Sequence, residues 1–123
     1  MNRPLDGRLI LIAEDEPLIA LDITMAFEEQ GARVIRARTL NEALVGVEDR
    51  GLTAAILDHT LSGGDSSTIY ARMKERNIPF VTYSGYDDLD GVAHGGVHVK
   101  KPARMSVLVD TVKGFLADSR APS

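Results

Sequence analysis

The chain has 123 residues, 44% of them hydrophobic, which is enough for one domain to bury a continuous core and leaves no room for a second. It has no cysteine, so disulfides, thiolate nucleophiles and cysteine-ligated zinc are excluded. Eighteen acidic residues against fourteen basic ones give a net charge of −4, which argues against a nucleic-acid or anionic-membrane surface, and no apolar run approaches the length of a span. Arg33, Arg36 and Arg38 are the nearest thing to a basic cluster, and a solvated strand edge accounts for them.

In chain order, Arg8 to Ala13 reads as a strand, its near-continuous apolar character suiting a central position buried on both faces. Pro17 opens a helix where its missing N–H is not needed, with Ile19, Ile23, Ala26 and Phe27 on one stripe and Gly31 at its end. Arg33 to Ala37 is a second, more polar strand, placed nearer an edge. Thr39 and Glu42 form a capping-box pattern for a helix burying Leu40, Ala43, Leu44 and Val47, which Gly51 stops. Thr53 to Leu57 is the third strand and ends at Asp58. Ser66 or Ser67 caps a third helix that presents Ile69, Tyr70 and Met73 to the core.

Pro79 marks the next boundary. Phe80 to Tyr83 and Val97 to Lys100 are the fourth and fifth strands. A last helix from about Arg104 buries Leu108, Val109, Val112, Phe115 and Leu116. The stretch from Gly85 to Gly96 holds four glycines and three aspartates, so at most one or two helical turns are expected there. The alternation of strand and helix predicts an α/β protein on a parallel sheet.

In such a sheet the functional crevice lies beyond the carboxyl ends of the strands. Glu14 and Asp15 follow the first strand, Asp58 the third, Ser84 the fourth and Lys101 the fifth. Any one of these alone reads as a turn or cap residue; their joint placement points to a site. Three converging carboxylates repel unless a cation neutralises them, and Mg²⁺, which takes a few carboxylate oxygens together with waters and a phosphate, is the expected ion. A lysine and a hydroxyl across the crevice would then bind the other oxygens of a phosphoryl group. No G-x-x-x-x-G-K-[ST] run occurs, so a nucleotide-binding P-loop is rejected. His59 and His94 lack a second ligand at suitable spacing and read as surface histidines.

The stretches ILIAEDEP at 10–17, AAILDHTL at 54–61, YSG at 83–85 and VKKP at 99–102, in this order, resemble the four signatures of the response-regulator receiver family of two-component signalling. The resemblance implies a doubly wound, five-stranded flavodoxin-like (βα)5 fold, here with a shortened fourth helix, as one domain with a core of about 8–118 and no output domain. It implies that Asp58 is the phosphoacceptor, and that Glu14, Asp15, Asp58 and the carbonyl of Thr60 hold Mg²⁺. Ser84, Gly85 and Lys101 would bind the phosphoryl group, Ser84 and His98 would act as switch residues, and the bond before Pro102 would be cis.

Tyr83 to Tyr86 is similar to the subgroup of receivers known as FATGUY, while Ser62 stands where the family commonly has proline. The implied function is a stand-alone, cytoplasmic phosphorylation switch rather than a turnover enzyme. It would be served by a sensor histidine kinase or phosphotransfer protein and would act on a downstream protein, with no direct DNA or membrane binding. A phosphate sink or relay is the alternative within signalling. A small metal-dependent aspartyl phosphohydrolase is the alternative outside it, disfavoured because Thr60 stands where such enzymes place a second aspartate.

Overall fold

Five apolar stretches alternate with five helical ones, and each pairs parallel with its neighbour because a helix carries the chain back between strands. The computed structural model describes residues 3–119 apart from 59, 60, 62, 64, 65 and 88, and gives the backbone alone for 118 and 119. The strands are β1 (Leu9–Ala13), β2 (Arg33–Ala37), β3 (Leu52–Leu57), β4 (Phe80–Ser84) and β5 (Val97–Lys100). The helices are α1 (Pro17–Glu29), α2 (Leu40–Gly46), α3 (Ser67–Glu75), α4 (Leu89–Ala93) and α5 (Met105–Ser119). The sheet order β2-β1-β3-β4-β5 is that of a doubly wound flavodoxin-like sheet. Its order reverses between β1 and β3, which opens a crevice above their carboxyl ends.

Burial follows the sequence pattern. All of β1 and all of β4 are buried, whereas β2 and β5, at the two edges, are mostly exposed or half-buried. Alternate residues feed two cores. Leu9, Leu11, Ala55, Leu57 and Phe80 pack with Ala43, Ile69, Tyr70 and Met73 of α2 and α3. Ile10, Ile12, Ala54, Ile56 and Val81 pack with Ile23 and Phe27 of α1 and with Leu108, Val112 and Leu116 of α5. Burying a side chain such as Ile23 or Phe27 is worth about 1.5–3 kcal/mol, so each helix is held by its apolar stripe more than by its own propensity.

The helix starts follow local chemistry. Pro17 occupies the first turn of α1, and Gly31, just past its end, has φ +95°, where a side chain would be strained. The Glu42 amide donates to the Thr39 hydroxyl at 3.2 Å, one half of the capping box, while the Glu42 carboxylate reaches one residue past the N-cap and accepts from the Arg38 amide at 2.7 Å. Two details differ from the sequence reading. α2 ends at Gly46, before Gly51 is reached. Ser66 occupies the N-cap of α3 but makes no side-chain cap bond; its hydroxyl donates to the Asp58 carbonyl at 3.0 Å.

α4 is a single five-residue turn of helix. The glycines of this region serve packing at one end: a Cβ on Gly96 would lie 2.4 Å from the Phe80 ring, which is itself stacked on Tyr70 with centroids 5.4 Å apart. Only glycine lets the chain enter β5 beside that ring pair. No helix of the described residues is long and apolar enough to cross a membrane.

Candidate phosphoacceptor site

Main-chain pairing at the upper edge of the sheet sets the site. The Glu14 amide donates to the Ala37 carbonyl at 3.0 Å, the Asp58 amide to the Ala13 carbonyl at 2.9 Å, and the Lys101 amide to the Ser84 carbonyl at 2.8 Å. The residues that follow β1, β3 and β5 are therefore fixed by continuing the ladder one step past the strands. Glu14, Asp15 and Asp58 come together as a result, each offering an oxygen within 4.8 Å of the others'. Glu14 and Asp58 are 2% and 4% exposed, an unusual depth for carboxylates.

Lys101 answers that charge. Its ammonium donates to Glu14 Oε1 at 2.7 Å and to Asp58 Oδ2 at 3.3 Å, and lies 5.4 Å from the centre of the Tyr83 ring. The peptide bond between Lys101 and Pro102 is cis. Burial works against the charged lysine, but its hydrogen bond to Glu14 and the charges of Asp58 and Glu14 outweigh it and raise its pKa.

One cation for three carboxylates is not enough. Burial, chiefly, lifts the Glu14 carboxyl from 4.5 to about 7, against the hydrogen bond from Lys101 and with a further upward push from Asp58. Below pH 4.5 Glu14 is protonated in the folded and unfolded chains alike. Between about 4.5 and 7 it ionises in the unfolded chain first, so stability falls across that window and then levels off. Glu14→Gln, which keeps an acceptor for Lys101, is expected to stabilise the metal-free protein at pH 8 by about 1–3 kcal/mol and to have little effect at pH 4.5. Thermal unfolding followed across that range checks it; equal effects at both ends would refute the cost assigned to Glu14.

The donor set fits a hard divalent cation: carboxylate oxygens only, on one rim of the crevice, with more negative charge than Lys101 offsets. Thr60, the fourth expected ligand, lies outside the described residues, as does His59. Ser84 is buried at the end of β4, where its hydroxyl donates to the Tyr86 carbonyl at 2.9 Å. It stands on the strand beside Asp58 but is engaged with its own loop. Gly85 has open space where a Cβ would be. His98 is half-buried; its Nδ1 lies 2.8 Å from the Thr82 hydroxyl, and its Nε2 is buried without a partner among the described residues. His94, just past α4, lies with its Nδ1 2.9 Å from the Asp90 carbonyl, which is a structural role.

Two contributors were missed in the sequence. Ser66 reaches back eight residues to the Asp58 carbonyl, and Thr82 faces His98 across the β4–β5 register. Strand alternation would have paired Thr82 with His98, while nothing in the spacing signals Ser66. A cavity of about 560 Å³ lies beside Ile35, Val45 and Asp49 on the α2 edge and is lined by none of Glu14, Asp15 and Asp58. A smaller one of about 320 Å³, lined by Asp15, Arg38, Thr39 and Glu42, includes a member of the acidic cluster.

No protein-family model matches the sequence, and no curated protein matches it either. Solved structures do. A two-component response regulator from Clostridium difficile superposes with a TM-score of 0.84, at 22% identity, over 93% of this chain and 99% of that one. A putative response regulator from Chloroflexus aurantiacus gives 0.80 at 26% identity, over 91% and 99%. The receiver domain of a sensor histidine kinase from Pseudomonas aeruginosa, solved with a magnesium ion coordinated in its active-site cleft, gives 0.80 at 18% identity, over 90% and 98%. With its strand order and these superpositions, the chain has the fold of the CheY-like response-regulator receiver domains.

Proposed function

We propose that this chain is a phosphorylation-controlled signalling switch in which Asp58 accepts a phosphoryl group from the phosphohistidine of a sensor histidine kinase or phosphotransfer protein. The observation that carries this reading is the setting of one carboxylate. Asp58 stands at a strand end with two acidic neighbours on one side and the Lys101 ammonium on the other. A receiver-type fold around it supports the same assignment.

An Asp58 oxygen forms the new bond to phosphorus as the donor's bond breaks, and the bonding pair leaves with the donor. Little covalent work falls to the protein, which positions the reactants and balances charge. Glu14, Asp15 and Asp58, with the carbonyl of Thr60, would hold Mg²⁺, whose charge offsets that of the phosphoryl oxygens. Lys101, now shared between Glu14 and Asp58, has a more strongly charged acceptor once phosphate arrives. Ser84 would exchange its bond to Tyr86 for one to the phosphoryl group, with Gly85 leaving the room.

Movement of Ser84 couples to the half-buried His98 through the strand pair that joins β4 and β5. The changed face then binds a downstream protein, and an acidic chain of net charge −4 suits a protein target better than DNA. Cytoplasmic location and kinship with the FATGUY receivers belong to the same proposal; the five-residue α4 supports the latter.

Incubation with phosphoramidate and Mg²⁺, followed by intact mass, tests the reading. One added phosphoryl group is expected, lost when EDTA replaces the metal. No gain, or a gain indifferent to EDTA, would overturn it.

A further inference from the structure

The carboxyl end of every strand carries a residue toward the crevice, and four of the five are accounted for. The fifth is Arg38, which follows β2 directly, one position after Ala37, whose carbonyl accepts from the Glu14 amide. Its main chain is fixed: the Arg38 amide donates to the Glu42 carboxylate at 2.7 Å, which occupies the acid beside it. Its guanidinium is exposed and forms no hydrogen bond or ion pair with any described residue, although acidic side chains are plentiful nearby. Arg38 and Asp15 line the same cavity of about 320 Å³. Arg38 thus follows the strand at one edge of the sheet, on the side of Asp15, and Lys101 the strand at the other.

We infer that Arg38 is a specificity residue for the phosphodonor, favouring acyl phosphates, whose leaving group departs as an anion. The inference rests on Asp58 being the acceptor. Glu14 and Asp58 are buried, so the remainder of a donor must lie on the solvent side, where the cavity beside Asp15 opens. With acetyl phosphate, the Asp58 oxygen bonds to phosphorus, the P–O bond to the acyl group breaks, and acetate leaves with the bonding pair and a full negative charge. With phosphoramidate the P–N bond breaks instead, and the nitrogen, already protonated, leaves as neutral ammonia. A guanidinium at the exit stabilises the first departure and has little to offer the second.

The initial rate of Asp58 phosphorylation is measured with each donor in the full chain at saturating Mg²⁺. Arg38→Ala is expected to lower the acetyl phosphate rate by about fivefold or more while changing the phosphoramidate rate less than twofold. Arg38→Lys should recover most of the loss, and rising salt should erase the difference between wild type and Arg38→Ala. Equal slowing with both donors would make Arg38 a structural residue, and no slowing with either would leave it a solvated edge charge; both overturn the inference. Failure of the wild type with phosphoramidate would instead remove the acceptor assignment beneath it.

Discussion

Asp58→Asn is expected to leave the fold standing and to accept no phosphoryl group. Its amide donates to Ala13 and its carbonyl accepts from Ser66, and neither bond depends on the side chain. An amide oxygen can still accept from Lys101, so the local packing has no reason to collapse. What disappears is a charged nucleophile, since a neutral amide does not attack phosphorus at a useful rate near neutral pH. A second consequence follows from electrostatics. Asp58 helps to raise the Glu14 carboxyl, so its neutralisation should bring Glu14 down toward the ordinary carboxylate range and shift the pH-dependent loss of stability to lower pH. Intact mass and a stability profile on one preparation check both; a phosphoryl gain in Asp58→Asn would contradict the assignment.

Lys101→Met should be the most destabilising single change at this site. It removes the cation 2.7 Å from Glu14 and 3.3 Å from Asp58 and leaves two buried carboxylates facing each other. Breaking a buried pair from one side costs more than the pair is worth, and about 2–4 kcal/mol is expected at pH 8 without metal. The loss should shrink toward pH 5, because Glu14, already raised to about 7, takes up a proton and removes the repulsion. In a Glu14→Gln background the same lysine change should cost less, and a double-mutant cycle measures that coupling. Saturating Mg²⁺ should restore part of the stability by binding the folded state alone. Denaturant unfolding at the two pH values decides it: a Lys101→Met protein as stable as wild type at pH 8 would show that the ammonium does not balance the cluster.

The residues proposed to carry the chemistry were legible because strand ends are legible. A run such as Leu9 to Ala13 admits one reading as a buried strand, and the polar residue after it is then placed at the crevice without any knowledge of its contacts. Glu14, Asp15, Asp58, Ser84 and Lys101 follow from that rule alone. The irregular stretch before β5 was legible in kind, since its glycines cannot sustain a long helix, and α4 is one short turn.

Side-chain direction was less accessible. Pattern does not say that Ser66 donates to the Asp58 carbonyl instead of capping α3, because either bond satisfies the hydroxyl. Nor does it say that Ser84 rests on Tyr86. α2 ends at Gly46, ahead of Gly51, with Val47 as its C-cap, and position 46 itself is glycine for a packing reason that the pattern does not show: a Cβ there would lie 2.9 Å from a Leu11 methyl. Arg38 was read with Arg33 and Arg36 as a solvated edge, and the latter two are exposed on β2 as expected. Only the position of the β2 end beside Glu14 separates Arg38 from them.

The measurement that bears most directly on the central claim is chemical trapping of the phosphorylated residue. After reaction with phosphoramidate and Mg²⁺, borohydride reduces an aspartyl acyl phosphate to homoserine, and peptide mapping locates the converted residue. Conversion at Asp58 alone, absent without Mg²⁺, is the predicted result. Conversion at Glu14 or Asp15, or a stable phosphate on His59 with Asp58 untouched, would contradict the account.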